Sequence, residues 1–148
     1  MYANFLKKKK VALEGGEIEV TQLSGLERYD FIDYCTSLSR PEIPVMPSED
    51  ASREEKEAYL EECQKVAKQF ERLTFICRAR LVAYGCKAEP NTDIEERHQS
   101  VMASFTDEQV KKLHDEIALF SGIPILSADE NEEQEEQEEQ GEPVDPKA

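Results

Sequence analysis

The sequence predicts a mainly α protein with about four helices, an N-terminal β-hairpin and a disordered acidic C-terminal tail. Three observations carry that expectation. Four helix-start signatures place a hydroxyl three residues ahead of a carboxyl or amide: Ser24 to Glu27, Ser52 to Glu55, Thr92 to Glu95 and Thr106 to Gln109. Such a pair satisfies two of the free N–H groups at a helix start. An apolar stripe then runs unbroken from Tyr59 to Tyr84. Finally, Glu-Glu-Gln repeats three times between Glu132 and Gln140 with no apolar residue, a composition that cannot offset the entropy of ordering. These features divide the chain into a helical body with its hairpin, residues 1–126, and a tail, residues 127–148.

Residues 5–23 read as the hairpin. Lys10-Val11-Ala12-Leu13 enters Glu14-Gly15-Gly16, and Glu17-Ile18-Glu19-Val20-Thr21 alternates polar and apolar on the way out. Paired glycines supply the positive φ of a tight turn. Two strands alone are marginal, so the hairpin must lie on helices. The run Lys7 to Lys10 offers a polyanion site or, as the favoured reading, a solvated edge that lysines protect from pairing.

The first helix starts at Ser24, with Leu26, Tyr29, Ile32, Cys35 and Leu38 at spacing three as its inward face, and Pro41 ends it. Pro41, Pro44 and Pro47 make residues 41–50 an extended loop. The second helix covers roughly residues 53–84. Its stripe is Tyr59, Cys63, Val66, Phe70, Leu73, Cys77, Leu81 and Tyr84, stepping by four and three for about seven turns. This helix should organise the domain, with Phe70 buried and Gly85 as its C-terminal cap. In the third, Ile94, His98, Val101 or Met102, and Phe105 face inward; in the fourth, Val110, Leu113, Ile117 and Phe120 do, and Gly122 and Pro124 stop it.

The net charge is -15, of which the 22 residues from Ser127 carry -9 and residues 1–126 the remaining -6. This excess of negative charge argues against nucleic-acid and anionic-membrane partners, whose phosphates call for clustered Lys and Arg. No segment approaches the ~20 apolar residues of a membrane span. Val11-Ala12-Leu13 is too short for the core of a secretion signal. The expected location is the cytoplasm. Cys35, Cys63, Cys77 and Cys86 show neither a C-x-x-C pair nor zinc-ligand spacing, so they read as reduced, small apolar core residues.

Chemistry-bearing patterns are scarce, and the chain reads as a non-enzyme without catalytic residues, bound metal or cofactor. Gly15-Gly16 belongs to the turn, so there is no phosphate loop. His98 has Glu95 one turn away, and His114 has only Asp115 and Lys111 nearby; neither makes a metal site. The carboxylates read as solvated helix faces with partners four residues on, such as Glu61–Lys65 and Glu108–Lys112.

Phe5-Leu6-Lys7 opening a short β segment, and Ile18 to Arg28 as a strand running into a capped helix, resemble the tail assembly chaperones of long-tailed phages, the minor tail protein G of lambda-like phages. Leu119-Phe120-Ser121-Gly122 followed by an acidic, proline-bearing tail resembles that family's close. The resemblance covers the whole chain in outline, while residues 40–100 carry no matching motif. It implies a chaperone in the host cytoplasm that coats the tape measure protein, a very long helical protein with apolar faces, before tube subunits polymerise around it. It further implies absence from the finished virion, and a longer, frameshifted form whose added domain recruits the tail tube protein. Slippage would use Asp145, Pro146 and Lys147, where codons GAC, CCA and AAG permit re-reading of CCA-AAG as CCC-AAA. The residues leave the partner-binding surface and any homo-oligomer open. Two other classes compete: an acidic inhibitor or nucleic-acid mimic on a basic partner, and a secretion-type chaperone for one effector.

Overall fold

The computed structural model describes residues 4–87 and 92–125. Its elements are β1 (Lys8–Leu13), β2 (Gly16–Thr21), α1 (Gly25–Ser37), α2 (Arg53–Gly85), α3 (Ile94–Ser104) and α4 (Asp107–Ser121). The fold class and all six elements follow the sequence expectation.

β1 and β2 pair antiparallel, from Lys8 opposite Thr21 to Leu13 opposite Gly16. Gly15 turns the chain at φ 95°, a conformation that disfavours a side chain. One face of the hairpin carries Lys9, Val11, Leu13, Ile18 and Val20 toward the helices, with Val20 fully buried. The lysine run is therefore not uniformly solvated. Lys8 and Lys10 are exposed, whereas Lys9 points inward, pairs with Glu116 of α4 and lies 5.5 Å from the Phe120 ring centroid. An amphipathic stem lets a lysine in this position bury its methylenes and still place its charge against a carboxylate.

α1 starts at a complete capping box. The Glu27 N–H donates to Ser24 Oγ at 3.2 Å, and the Ser24 N–H donates to Glu27 Oε1 at 2.9 Å. Glu27 also holds Lys87, just beyond α2, at 2.6 Å. The packed face differs from the expected one: Leu26, Tyr29 and Ile32 are exposed, and the side turned to α2 carries Phe31, Tyr34, Cys35 and Leu38. Each step of three falls short of a full 3.6-residue turn, so five residues at spacing three sweep roughly two-thirds of the way around the helix. The 31-34-35-38 pattern stays on one side.

α2 spans 33 residues, about 50 Å at 1.5 Å per residue. Ser52 accepts the Glu55 N–H at 3.2 Å, but the return bond of the predicted box is missing. The stripe is in the predicted register, with every member at least half buried. Its ends differ. Ala79 to Gly85 are buried without interruption, whereas Val66 is the only buried residue of α2 before them. Phe70 is half buried and outside the central cluster, which is a correction to the expectation of a buried Phe70. Gly85 is not a cap either. It is the last helical residue, Cys86 caps the helix, and the glycine is needed because a Cβ there would lie 2.5 Å from Ile117 Cδ1.

The core forms where α3, α4, the hairpin and α1 surround the C-terminal part of α2. Leu81, Val82, Val110, Leu113 and Ile117 are fully buried. α3 presents Ile94, His98, Val101, Met102 and Phe105 as expected, although its N-cap Asp93 makes no side-chain capping bond. α4 has both bonds of the Thr106–Gln109 box and ends at Gly122, φ 71°. The Gln22 amide donates to the Phe120 carbonyl at 3.0 Å, and the Leu23 N–H donates to Ser121 Oγ at 3.0 Å. These bonds fasten the hairpin's exit to the end of α4. The expected Glu61–Lys65 and Glu108–Lys112 pairs are not among the ion pairs of the described residues; Lys112 donates instead to the Ala12 carbonyl at 2.7 Å. Intrahelical pairing is worth only a few tenths of a kcal/mol, so a tertiary acceptor displaces it readily. No helix among the described residues is long and apolar enough to cross a membrane.

Candidate functional site

Arg80 is the most heavily engaged polar residue inside the body. It lies between Ala79 and Leu81 in the buried part of α2, and its guanidinium is 2.8 Å from Glu95 Oε1 and 3.3 Å from His98 Nδ1. The same group stacks over the Tyr34 ring at 4.1 Å and approaches the Tyr84 ring at 5.6 Å. Arginine can only donate, so His98 Nδ1 accepts. Nε2 then carries the ring proton and donates to the Ile76 carbonyl at 3.0 Å. His98 is thus held as the neutral imidazole. Burial lowers its pKa below the ordinary histidine value, and the Arg80 charge acts in the same direction. The Arg80 hydrogen bond lowers the Glu95 carboxyl. The cluster ties α1, α2 and α3 together. Its charge is already neutralised and its imidazole already paired, so it has the character of a structural junction and not of acid–base machinery.

A second cluster lies between α1 and α2. Cys35 and Cys77 line a cavity of about 350 Å³ together with Phe31, Arg40, Phe70 and His114. A thiol–thiol hydrogen bond raises Cys35 and lowers Cys77 to about 7. Burial opposes the Cys77 shift, and the Arg40 charge assists it. His114 pairs with Asp115 at 2.9 Å, and burial lowers its pKa. Among the described residues, no group of three His, Cys, Asp or Glu converges to hold a metal ion.

The remaining feature is apolar surface. Leu26, Tyr29 and Ile32 form an outward strip on α1, 71, 68 and 44% exposed. Ile43, Val45 and Met46 stand out from the loop, at 79, 89 and 77%. The three prolines between and beside them are half buried. Large apolar side chains grouped in this way on a water-exposed surface are characteristic of binding sites for other proteins.

A sequence model of the family described as bacteriophage lambda tail assembly chaperone, TAC, protein G, matches residues 4–142. The chain belongs to that family. No curated protein and no solved structure matches the chain.

In this tail assembly chaperone the family points to a non-catalytic role in phage tail assembly. Asp145, Pro146 and Lys147, and the acidic tail from 127 to 148, lie outside the described residues. His98 and Glu95 do meet, as their spacing of three allows, but through Arg80, which sequence reasoning missed. Its signal was a single charge inside the apolar run Ala79 to Tyr84. The chaperone's exposed strip on α1 was missed because those same residues were read as core. The cysteines are all free and each is partly buried; Cys86 packs against the central cluster, and Cys35, Cys63 and Cys77 lie outside it.

Proposed function

We infer that this tail assembly chaperone binds the tape measure protein and keeps it soluble while the tail tube assembles, and that it is absent from the mature virion. Family membership over residues 4–142 carries the reading. The exposed strips Leu26-Tyr29-Ile32 and Ile43-Val45-Met46 support it, because a helical client with an apolar face needs apolar surface to lie against. The place of action is the host cytoplasm. Residues 1–126 are the gripping body, and residues 127–148 the tether to a further domain in a longer, frameshifted form that gathers tail tube protein. Asp145, Pro146 and Lys147 mark the codons where ribosomes slip.

Co-expression tests the body. The chain cut after Leu126 should keep a full tape measure protein soluble as well as the whole chain does. An insoluble tape measure beside the truncated form, rescued by the whole chain, would make the tail a binding element and refute the division. Reading the gene tests the slip. A Pro146 codon not preceded by C, a Lys147 codon that cannot re-pair, or no overlapping downstream frame refutes it.

A further inference from the structure

We propose that Cys35 and Cys77 are a redox-responsive dithiol which a small anionic disulfide, of the oxidised glutathione class, converts to a disulfide that locks α1 onto α2. This goes beyond the chaperone reading and does not depend on it. The two thiols project from facing positions of the α1–α2 pair into one cavity, and each is half buried, so both are within reach of a small reagent. The other two cysteines are remote from Cys77. Cys63 is 14 residues before it on the same helix, about 21 Å away along its axis. Cys86 lies nine residues beyond, past the helix end.

The surroundings fit the chemistry. Arg40 and Arg78 line the cavity and attract an anionic reagent. The neighbouring Cys35 thiol shifts Cys77 downward, toward the thiolate, which is the nucleophilic form. Cys77 attacks one sulfur of the incoming disulfide, whose S–S bond breaks and releases one thiolate. Cys35 then loses its proton to solvent and attacks the Cys77 sulfur of the mixed disulfide, releasing the second thiolate. Two protein thiols are oxidised by two electrons, and one small disulfide is reduced to two thiols.

The consequence is mechanical. α1 has no fully buried residue, so its hold on α2 rests on half-buried contacts, Lys87 and Arg80. A covalent link closing a loop of about 40 residues constrains the unfolded chain strongly.

The test uses the full chain, reduced and then exposed to oxidised glutathione. Expected are the loss of two hydrogen atoms from the intact mass and a non-reduced digest joining the Cys35 and Cys77 peptides, with Cys63 and Cys86 alkylatable. The melting temperature should rise by roughly 5 °C or more. Cys35→Ser should arrest the reaction at a glutathione adduct on Cys77. A persistent adduct on Cys77 in the unmutated chain, or links that use Cys63 or Cys86, would overturn the dithiol. A link without a change in melting temperature would overturn the locking of α1.

Discussion

Replacing Gly85 by alanine sets two well-known effects against each other. Gly85 is helical, and alanine is favoured over glycine in a helix interior by up to ~1 kcal/mol, so propensity alone predicts a gain. The packing predicts a loss. An alanine Cβ at this position would lie 2.5 Å from Ile117 Cδ1, 2.9 Å from Cγ1 and 3.0 Å from Cγ2. Rotating χ1 cannot withdraw both γ carbons at once, because they share one Cβ. Ile117 is also fully buried, so its neighbours hem it in on every side. α2 and α4 must therefore separate slightly, at a cost of about 1–3 kcal/mol. The net expectation is a destabilisation of about 1–2 kcal/mol, or a fall in melting temperature of roughly 3–8 °C. Urea unfolding followed by circular dichroism measures it. Ile117→Val removes the nearest atom, so Gly85→Ala should cost less in that background, by about 0.5 kcal/mol or more. A Gly85→Ala variant that melts higher than the parent, or that costs as much in the Ile117→Val background as in the parent, would refute the close-approach argument.

Leu113, fully buried, should lose about 3–4 kcal/mol on truncation to alanine, whereas Phe70→Ala should lose only about 1–2, its ring being partly buried and outside the central cluster; equal losses in urea titrations would mean that the middle of α2 is packed as tightly as its C-terminal end. Thr106→Ala removes one arm of a complete capping box and should cost about 1 kcal/mol, visible as a lower denaturation midpoint with unchanged slope. His98 and His114 both have native pKa values below the unfolded value, so the unfolded chain binds more protons as pH falls through 6.5. Stability contributed by the neutral rings is complete above about pH 7 and is lost from 6.5 downward, by at most ~1.4 kcal/mol per pH unit per ring. Melting temperatures at pH 7.5 and 5.5 check this. His98→Gln, which keeps an acceptor and cannot titrate, should flatten the dependence; an unchanged slope would remove His98 from the account.

Elements set by local chemistry were readable from the sequence. Thr106 with Gln109, Ser24 with Glu27, Gly15 in its turn and Gly122 after α4 act over three or four residues, and all occupy the roles expected of them. The α2 stripe was readable because steps of four and three hold one register over seven turns. Two of the failures have their cause in long-range packing. Gly85 looked like a cap, yet its reason for being glycine is Ile117, thirty-two residues away. Lys9 looked like edge protection, yet its partner Glu116 is on the last helix. The face of α1 was misread by following a period of three where the helix turns in 3.6. The cost of that error was functional as well as structural, since it hid the apolar strip on the helix surface.

The loop between α1 and α2 offers the sharpest test of the binding surface. Glu49 meets Lys56 through its carbonyl at 3.1 Å, and Arg40 lies beside Cys77, so residues 40–49 run back along α2 toward its start. Proline lacks an N–H, which suits an extended segment with no strand beside it. Pro41, Pro44 and Pro47, spaced by three, are the half-buried members, and that spacing leaves Ile43, Val45 and Met46 on the outside. Their exposure follows from the proline register, so it does not signal a loose loop. Outward positions free of any partner have no physical need for isoleucine, valine and methionine. On the proposed function, they meet the tape measure protein. Val45→Glu and Met46→Glu should then abolish solubilisation of a co-expressed tape measure protein while leaving the melting temperature within about 1 °C of the parent, the range expected of exposed substitutions. Full rescue by the double variant would place the client elsewhere on the body. A large drop in melting temperature would show instead that these side chains are packed against the chain itself.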